Sequence, residues 1–521
     1  MKKRFNITGT CYPENHYLMD NSKKLEQIME LIEYGEYFTI NRPRQYGKTT
    51  TMSFLAKQLR ATEDYLPIEL NFQGIDRQWL ESDKAFAQMF INEIYNFLKY
   101  NETDAITTFL EANIKQVIDM NSLSKLITEM VRQTNKKLIL FIDEVDTSSN
   151  YQAFLSLLGM LRTKYLSRKN PQHATFYSIV LAGVHDIKSL KYKLRNPEEA
   201  QYNSPWNIAT DFDVRMSFNS QEIEPMLEQY SKAENVKMDV SVIAERLHYY
   251  TSGYPFLVSK LCKNIAEKMV AKRVEKVWIL EDVETAVQMI MRENNTNFDS
   301  LIKNLENRPE LYDLVNRILI DGERIAFSPD EPIIQLGIMY GIFKSNGTVK
   351  VHNRIYEQRI YNYLSAKISM KLPSRFSLSE HFITEGGGLD MEAVLHMFQQ
   401  FMKEKYSEKS KGFIEREGRT IFLAYLSPIL NGKGYSFREV QVSTEKRLDI
   451  VVTYLNHRYI LELKLWYGQK YHEEGLLQLA DYLDIHGVDE GFLVIFDDRK
   501  EKKWQTEKRV VEGKEIFMVW V

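Results

Sequence analysis

Asn41-Arg42-Pro43-Arg44-Gln45-Tyr46-Gly47-Lys48-Thr49-Thr50 is the stretch whose reading decides the fold. Its last part, Gly47-Lys48-Thr49, matches the end of a phosphate-loop signature, in which backbone N–H groups cradle phosphates, the lysine reaches the β- and γ-phosphates and the hydroxyl binds Mg²⁺. Arg42 stands where the usual first glycine would be, and the triplet alone is common, so its surroundings must decide. Tyr37-Phe38-Thr39-Ile40 reads as a short strand, preceded by helical spacing over Leu25 to Leu31. Beyond the loop, Met52, Leu55, Ala56 and Leu59 recur at i, i+3, i+4 and i+7, which predicts a helix from Thr50 to Leu59. Strand, loop and helix in that order aim a helix dipole and its unpaired N–H groups at phosphates.

Outward from this loop, Ile68 to Phe72 is another strand candidate, followed by helical segments to about Asn135. Leu138-Ile139-Leu140-Phe141-Ile142 is then a continuous apolar run ending in Asp143-Glu144, the pattern of a buried parallel strand with acids at its carboxyl end. This pair looks like a Walker B motif: Asp143 would help hold Mg²⁺ and Glu144 would activate the attacking water. Ser178-Ile179-Val180-Leu181-Ala182-Gly183 is a further strand, with His185 and Asp186 after its end in the place of a group that reads the γ-phosphate. ATP is thus the expected ligand, bound by Arg42, Pro43, Arg44, Gln45, Tyr46, Gly47, Lys48, Thr49, Thr50, Asp143 and Asp186, with Thr49 and Asp143 on the metal.

A length of 521 residues suggests two to four domains, and 44% hydrophobic residues is ordinary for globular protein. Two cysteines, Cys11 and Cys262, exclude a disulfide framework or a four-cysteine zinc site. A formal net charge of −3 leaves no global basic field, so nucleic-acid binding would need local patches. Met1-Lys2-Lys3-Arg4 leads into polar residues, and no apolar run approaches roughly 18 residues, so a cytoplasmic protein without a membrane partner is expected.

His16-Tyr17-Leu18-Met19-Asp20, the segment Tyr37 to Thr50 and Ser204-Pro205-Trp206-Asn207-Ile208-Ala209 resemble the bacterial AAA-ATPase-like family whose members carry a C-terminal PD-(D/E)XK nuclease domain. The resemblance runs the full length of the chain. It implies that Arg42 is no departure, since the family's loop normally has Arg-Pro-Arg there.

Ser220 to Lys272 reads as helical and fits an ATPase lid; within it Gly253-Tyr254-Pro255 resembles the Gly-x-Pro lid motif of signal-transducing ATPases. From Tyr312 to Leu364 the pattern is helix, helix, then β-rich runs around Asn346-Gly347, a hairpin turn signal that looks like a winged helix. Lys367 to Glu380 is a polar linker, and Gly386-Gly387-Gly388 a turn.

The second half carries different chemistry. Leu448 to Leu455 and Arg458 to Leu465 are β-rich runs around Asn456-His457. With those two as the turn, Leu455 faces Arg458, Val451 faces Glu462 and Asp449 faces Lys464, so Asp449, Glu462 and Lys464 share one side of the sheet. This Asp…Glu-x-Lys arrangement resembles the PD-(D/E)XK core, with Leu448 in place of the eponymous proline. The resemblance implies Mg²⁺ or Mn²⁺ held by Asp449 and Glu462, with Lys464 orienting water or stabilising charge. Gln478 and Tyr482, at i and i+4 of a helix over Gly475 to Leu483, resemble the Gln-x-x-x-Tyr motif of RecB-type nucleases. In the expected preceding helix, Phe413 to Leu426, Glu415 matches the acid of the family's first nuclease helix better than Glu417, and the resemblance implies that either could bind metal, directly or through water, with Glu415 the expected ligand. Lys446, Arg447 and Arg458 are available to phosphates.

The expected fold is α/β: a P-loop NTPase parallel sheet with a helical lid and a winged helix, then a restriction-endonuclease-like α/β domain. The boundaries are 1–215 for the ATPase core, 216–300 for the lid, 301–366 for the winged helix, 367–390 for the linker and 391–521 for the nuclease-like domain. The expected function is ATP-regulated, divalent-metal-dependent cleavage of nucleic acid, specifically DNA. The alternative is a non-cleaving NTP-dependent switch or DNA-binding adaptor. A homo-oligomer stays open, because AAA-like sites often borrow an arginine from a neighbour; Arg195 and Arg215 are available.

Overall fold

The computed structural model describes residues 2–101, 105–149, 151–184, 206–321, 323–369, 382–384, 386–406, 418, 421–423, 425–426, 429–430, 434–438, 449–454, 457–485, 487–497, 499 and 503–521. They form two compact units. The first comprises Met1–Asn304, Pro329–Lys344 and His352–Ile355; the second comprises Leu305–Ser328, Ser345–Val351 and Tyr356–Val521.

In the first unit, α1 (Ser22–Glu33) precedes β1 (Tyr37–Asn41), and α2 (Lys48–Arg60) follows the phosphate loop directly. β2 (Tyr65–Asn71), α3 (Asp83–Asn101), α4 (Ala105–Asn113), α5 (Met120–Val131), β3 (Lys137–Asp143), α6 (Gln152–Leu166) and β4 (Ser178–Gly183) complete the core. The four strands are parallel in the order β1-β4-β3-β2. β3 is therefore interior and covered on both faces, which is why Leu138 to Ile142 is an uninterrupted apolar run; every residue from Leu138 to Asp143 is buried. Trp206 is fully buried, stacks on Tyr37 with centroids 5.8 Å apart and donates its indole N–H to Thr39 Oγ1 (3.1 Å).

The stretch expected as a lid holds α7 (Ser220–Glu234), α8 (Val240–Thr251), α9 (Pro255–Lys268) and α10 (Leu280–Arg292). α7 starts in a capping box, in which Asn219 accepts from the Glu222 N–H while the Glu222 carboxylate accepts from the Asn219 N–H. α8 and α9 are joined by Ser252-Gly253-Tyr254. Gly253 has φ +71°, and a Cβ there would lie 1.7 Å from the Phe218 carbonyl oxygen. Only glycine fits this close approach of two backbones.

Further along are α11 (Thr296–Glu306), α12 (Pro309–Asn316), α13 (Pro332–Met339), a ribbon of β5 (Phe343–Asn346) and β6 (Thr348–Val351), and α14 (Arg354–Ser369). Gly347, at φ +74°, is the single residue between the two strands.

The second unit carries α15 (Met391–Tyr406), β7 (Gly434–Arg438), β8 (Asp449–Tyr454), β9 (His457–Leu465), α16 (Gln469–Ile485), β10 (Glu490–Phe496), β11 (Thr506–Val511) and β12 (Lys514–Trp520). Its six-stranded sheet has the order β11-β12-β10-β9-β8-β7, with β9, β10 and β12 parallel and the rest antiparallel. Leu476, Leu479, Ala480 and Leu483 of α16 cover one face against Val451, Ile460, Leu493, Ile495, Ile516 and Met518. No helix among the described residues is long and apolar enough to cross a membrane.

The β8–β9 register corrects one expectation. Asp449 pairs with Glu462 and Tyr454 with His457, so residues 455 and 456 make the connection instead of 456 and 457. Asp449 therefore faces Glu462 and not Lys464. The slip is by two residues, so it leaves each residue on its expected face of the sheet.

Candidate functional site

The phosphate loop leaves β1 at Asn41 and enters α2 at Lys48, with Gly47 as N-cap at φ +84°. Lys48 is buried. Its ammonium donates to the carbonyls of Arg42 (2.8 Å) and Pro43 (3.0 Å) and therefore lies within the curve of the loop. Burial pulls its pKa down, against the opposing pull of Glu144, Asp146 and Asp143. Thr49 Oγ1 donates to Asp143 Oδ2 (2.5 Å), which joins the loop to the end of β3 across 94 residues of sequence. The other Asp143 oxygen accepts the Glu144 N–H (2.9 Å). Glu144 sits in the left-handed region at φ +56°. Burial and then the neighbouring Asp143 raise the pKa of its carboxyl.

The remaining loop residues divide by direction. The Arg42 guanidinium donates to the carbonyls of Val214 (2.9 Å) and Phe212 (3.3 Å) and lies over the Phe212 ring, which anchors the loop instead of offering charge to its interior. Arg44 and Gln45 are exposed. Pro43 and Tyr46 are buried. Thr50 Oγ1 accepts the Cys11 N–H (3.1 Å), tying the N-terminal segment to the first turn of α2. Arg215 is exposed and donates Nε to Ser217 Oγ (2.9 Å). Arg195, His185 and Asp186 lie outside the described residues.

Sequence reading missed Asp146, whose Oδ2 accepts the Val184 N–H (2.6 Å) and so braces the exit of β4. The signal was there: a third acid in Asp143-Glu144-Val145-Asp146.

In the second unit, Glu462 and Lys464 are both buried on β9 and form an ion pair, Nζ to Oε1 3.0 Å. Lys464 also approaches Gln478 Oε1 (3.4 Å) and lies over the Tyr471 ring (5.3 Å). Tyr482, one turn beyond Gln478, is buried in the core under α16. A Cβ on Gly475 would come 2.4 Å from Lys464 Nζ, so the bare backbone at this position makes room for the amine. In the sequence Gly475 shows only as a helix start; its service to Lys464 is a tertiary fact with no local signature. Asp449 is placed by its backbone opposite Glu462, while Glu415, Glu417, Lys446 and Arg447 lie outside the described residues and Arg458 is exposed. Among the described residues no cluster of three His, Cys, Asp or Glu side chains is assembled to hold a metal ion.

Comparison with solved structures finds distant likenesses. A Walker-type ATPase of Pyrococcus abyssi is 12% identical, with 68% of this chain and 99% of that one covered at a TM-score of 0.47. The ORC2 protein of Aeropyrum pernix, in its ADPNP–ADP complexes, is 13% identical over 71% of this chain and 99% of its own, at 0.43. The Holliday junction branch migration motor RuvB of Thermotoga maritima is 14% identical over 66% and 95%, at 0.32. No curated protein matches. The AAA-like domain family, by contrast, is matched over residues 10–362, which spans the parallel sheet, the phosphate loop and the helices α7 to α13, and the chain belongs to that family.

Proposed function

We propose that this chain binds ATP at residues 42–50, hydrolyses it, and uses the nucleotide to regulate a metal-dependent nuclease in its C-terminal domain that cleaves DNA phosphodiesters. The observation that carries the nucleotide part is the Thr49–Asp143 hydrogen bond of 2.5 Å, which brings the hydroxyl and the carboxylate of two separate motifs to one point. Those two groups would hold Mg²⁺, which supplies charge neutralisation at the phosphates. Lys48 would exchange its loop carbonyls for phosphate oxygens, and Glu144, with its raised pKa, is the base that takes a proton from water.

For the C-terminal domain, support comes from the buried Glu462–Lys464 pair beside Gln478, with Asp449 opposite Glu462. Asp449 and Glu462 would hold Mg²⁺ or Mn²⁺, with Glu415 as a further ligand, and Lys464 would bear on the attacked phosphate. Tyr482 would act as packing beneath Gln478. A second reading, a non-cleaving DNA-binding adaptor, is favoured by the ion pair that closes Glu462 against Lys464.

One experiment separates these readings. Wild type, Lys48→Ala and Lys464→Ala are incubated with linear, circular and single-stranded DNA and with RNA, with Mg²⁺ or Mn²⁺, with and without ATP. We expect wild type to cleave DNA, Lys464→Ala to be inactive, and Lys48→Ala to lose ATP turnover and the ATP response of cleavage. Absence of cleavage by wild type under every condition favours the adaptor; cleavage by Lys48→Ala indistinguishable from wild type in all conditions defeats the coupling.

A further inference from the structure

An ordinary phosphate loop curls on its glycines; this one has a single glycine between Asn41 and Thr50 and nevertheless places two residues, Gln45 at φ +57° and Gly47 at φ +84°, in the left-handed region. A glutamine is disfavoured in that region, so neighbouring structure must hold it. Arg42 does so on one flank, through the Phe212 and Val214 carbonyls. On the other flank three segments from far downstream in the first unit converge on residues 43–46.

Tyr254, just beyond the constrained Gly253, is 1% exposed and donates its hydroxyl to the Arg44 carbonyl oxygen (2.5 Å). Its ring meets the edge of the Tyr46 ring at 4.7 Å. The Tyr46 hydroxyl lies 3.0 Å from His352 Nε2, and the His352 ring also packs against Tyr254 at 5.6 Å. Asn353 donates its amide to His352 Nδ1 (3.4 Å), which assigns the imidazole proton to Nε2 and makes the Tyr46 oxygen its acceptor. Gly341, at φ +72°, brings bare backbone against Pro43; a Cβ there would lie 2.6 Å from the proline Cγ. Lys344 closes the same side by donating to Ser252 Oγ (2.9 Å).

We propose that Tyr254 and His352 are positioning residues of the nucleotide site: they hold the phosphate loop through Arg44 and Tyr46, and so bind the loop's conformation to that of residues 341–344 and 352–355 of the same unit. The loop has two sides. Lys48 and Thr49 face Asp143, while Pro43 and Tyr46 face the lid and the downstream segment. A ligand that moves residues 43–46 must shift the outer contacts too, and by linkage those contacts must change the ligand's affinity to the same degree. This inference rests on the nucleotide reading of the loop.

The test uses the full-length chain with ADP and ATP in Mg²⁺ as probes, in wild type, Tyr46→Phe, Tyr254→Phe, His352→Ala and His352→Gln. Calorimetry gives Kd, turnover gives kcat and KM, and hydrogen exchange reports on residues 341–344 and 352–355. Tyr46→Phe keeps the ring packed and removes only its oxygen. It and His352→Ala are expected to weaken ADP binding about tenfold, the loss of one buried hydrogen bond. His352→Gln, which retains a donor, is expected to recover part of that loss. ADP should slow exchange in 341–344 and 352–355 of wild type but not of Tyr46→Phe at saturating ADP, a response that simple destabilisation would not remove. Wild-type ADP affinity and a wild-type exchange response in Tyr46→Phe would overturn the inference, whether or not His352→Ala folds. If wild type binds neither nucleotide, the nucleotide reading falls and takes this inference with it.

Discussion

Single side chains decide both candidate sites, and their burial makes the effects of substitution specific. Gly475→Ala places a methyl group 2.4 Å from Lys464 Nζ, but the atoms it meets are the end of a flexible side chain. We expect the amine to move, with little change in melting temperature and a loss of any cleavage approaching that of Lys464→Ala, checked by thermal unfolding and a nuclease assay side by side. His352 gives a pH signature. Burial, and then the positive charges of Lys344 and Arg215, bring its pKa down to about 3 from an ordinary 6.5. Between those values the folded protein leaves the imidazole neutral while the unfolded chain takes up a proton, so stability rises with pH across that window. The first unit should lose about 1.4 kcal/mol per pH unit from this group as pH falls below 6.5. Urea unfolding of wild type and His352→Gln at pH 5 and pH 7 checks this; the variant should have the shallower pH dependence.

Elements show how far the sequence could be read. β3 was legible because an interior parallel strand is apolar along its whole length, and the loop was legible because strand, phosphate signature and helix follow one another without a gap. The β8–β9 hairpin was legible to its faces but not its register, since Asn456 serves equally well as first or second turn residue and only the paired strands decide. Tyr46, Tyr254 and His352 were illegible as a group: nothing local in three short stretches separated by about 100 to 200 residues announces that they meet. Gly253→Ala belongs to this scale. Its Cβ would collide with the Phe218 backbone, which cannot swing away as a side chain can, so about 3 kcal/mol or more of stability should be lost, read as a lower urea midpoint for the first unit.

For the whole molecule, the main fact is that the first unit is not one continuous stretch of chain. It closes only with Pro329–Lys344 and His352–Ile355, the segments that carry Gly341 and His352. A chain ending at Asn304 keeps Lys48, Thr49 and Asp143 but lacks the outer support of Pro43 and Tyr46, and should bind ADP more weakly than the full chain when both are titrated by calorimetry. The same discontinuity sets an order of events during synthesis. At roughly 5–20 residues per second, the ribosome needs several seconds to make the roughly 50 residues between Asn304 and Ile355. During that interval the parallel sheet has all its strands, yet the loop lacks its last partners. The phosphate loop therefore leaves the ribosome seconds before the segments that will complete its support.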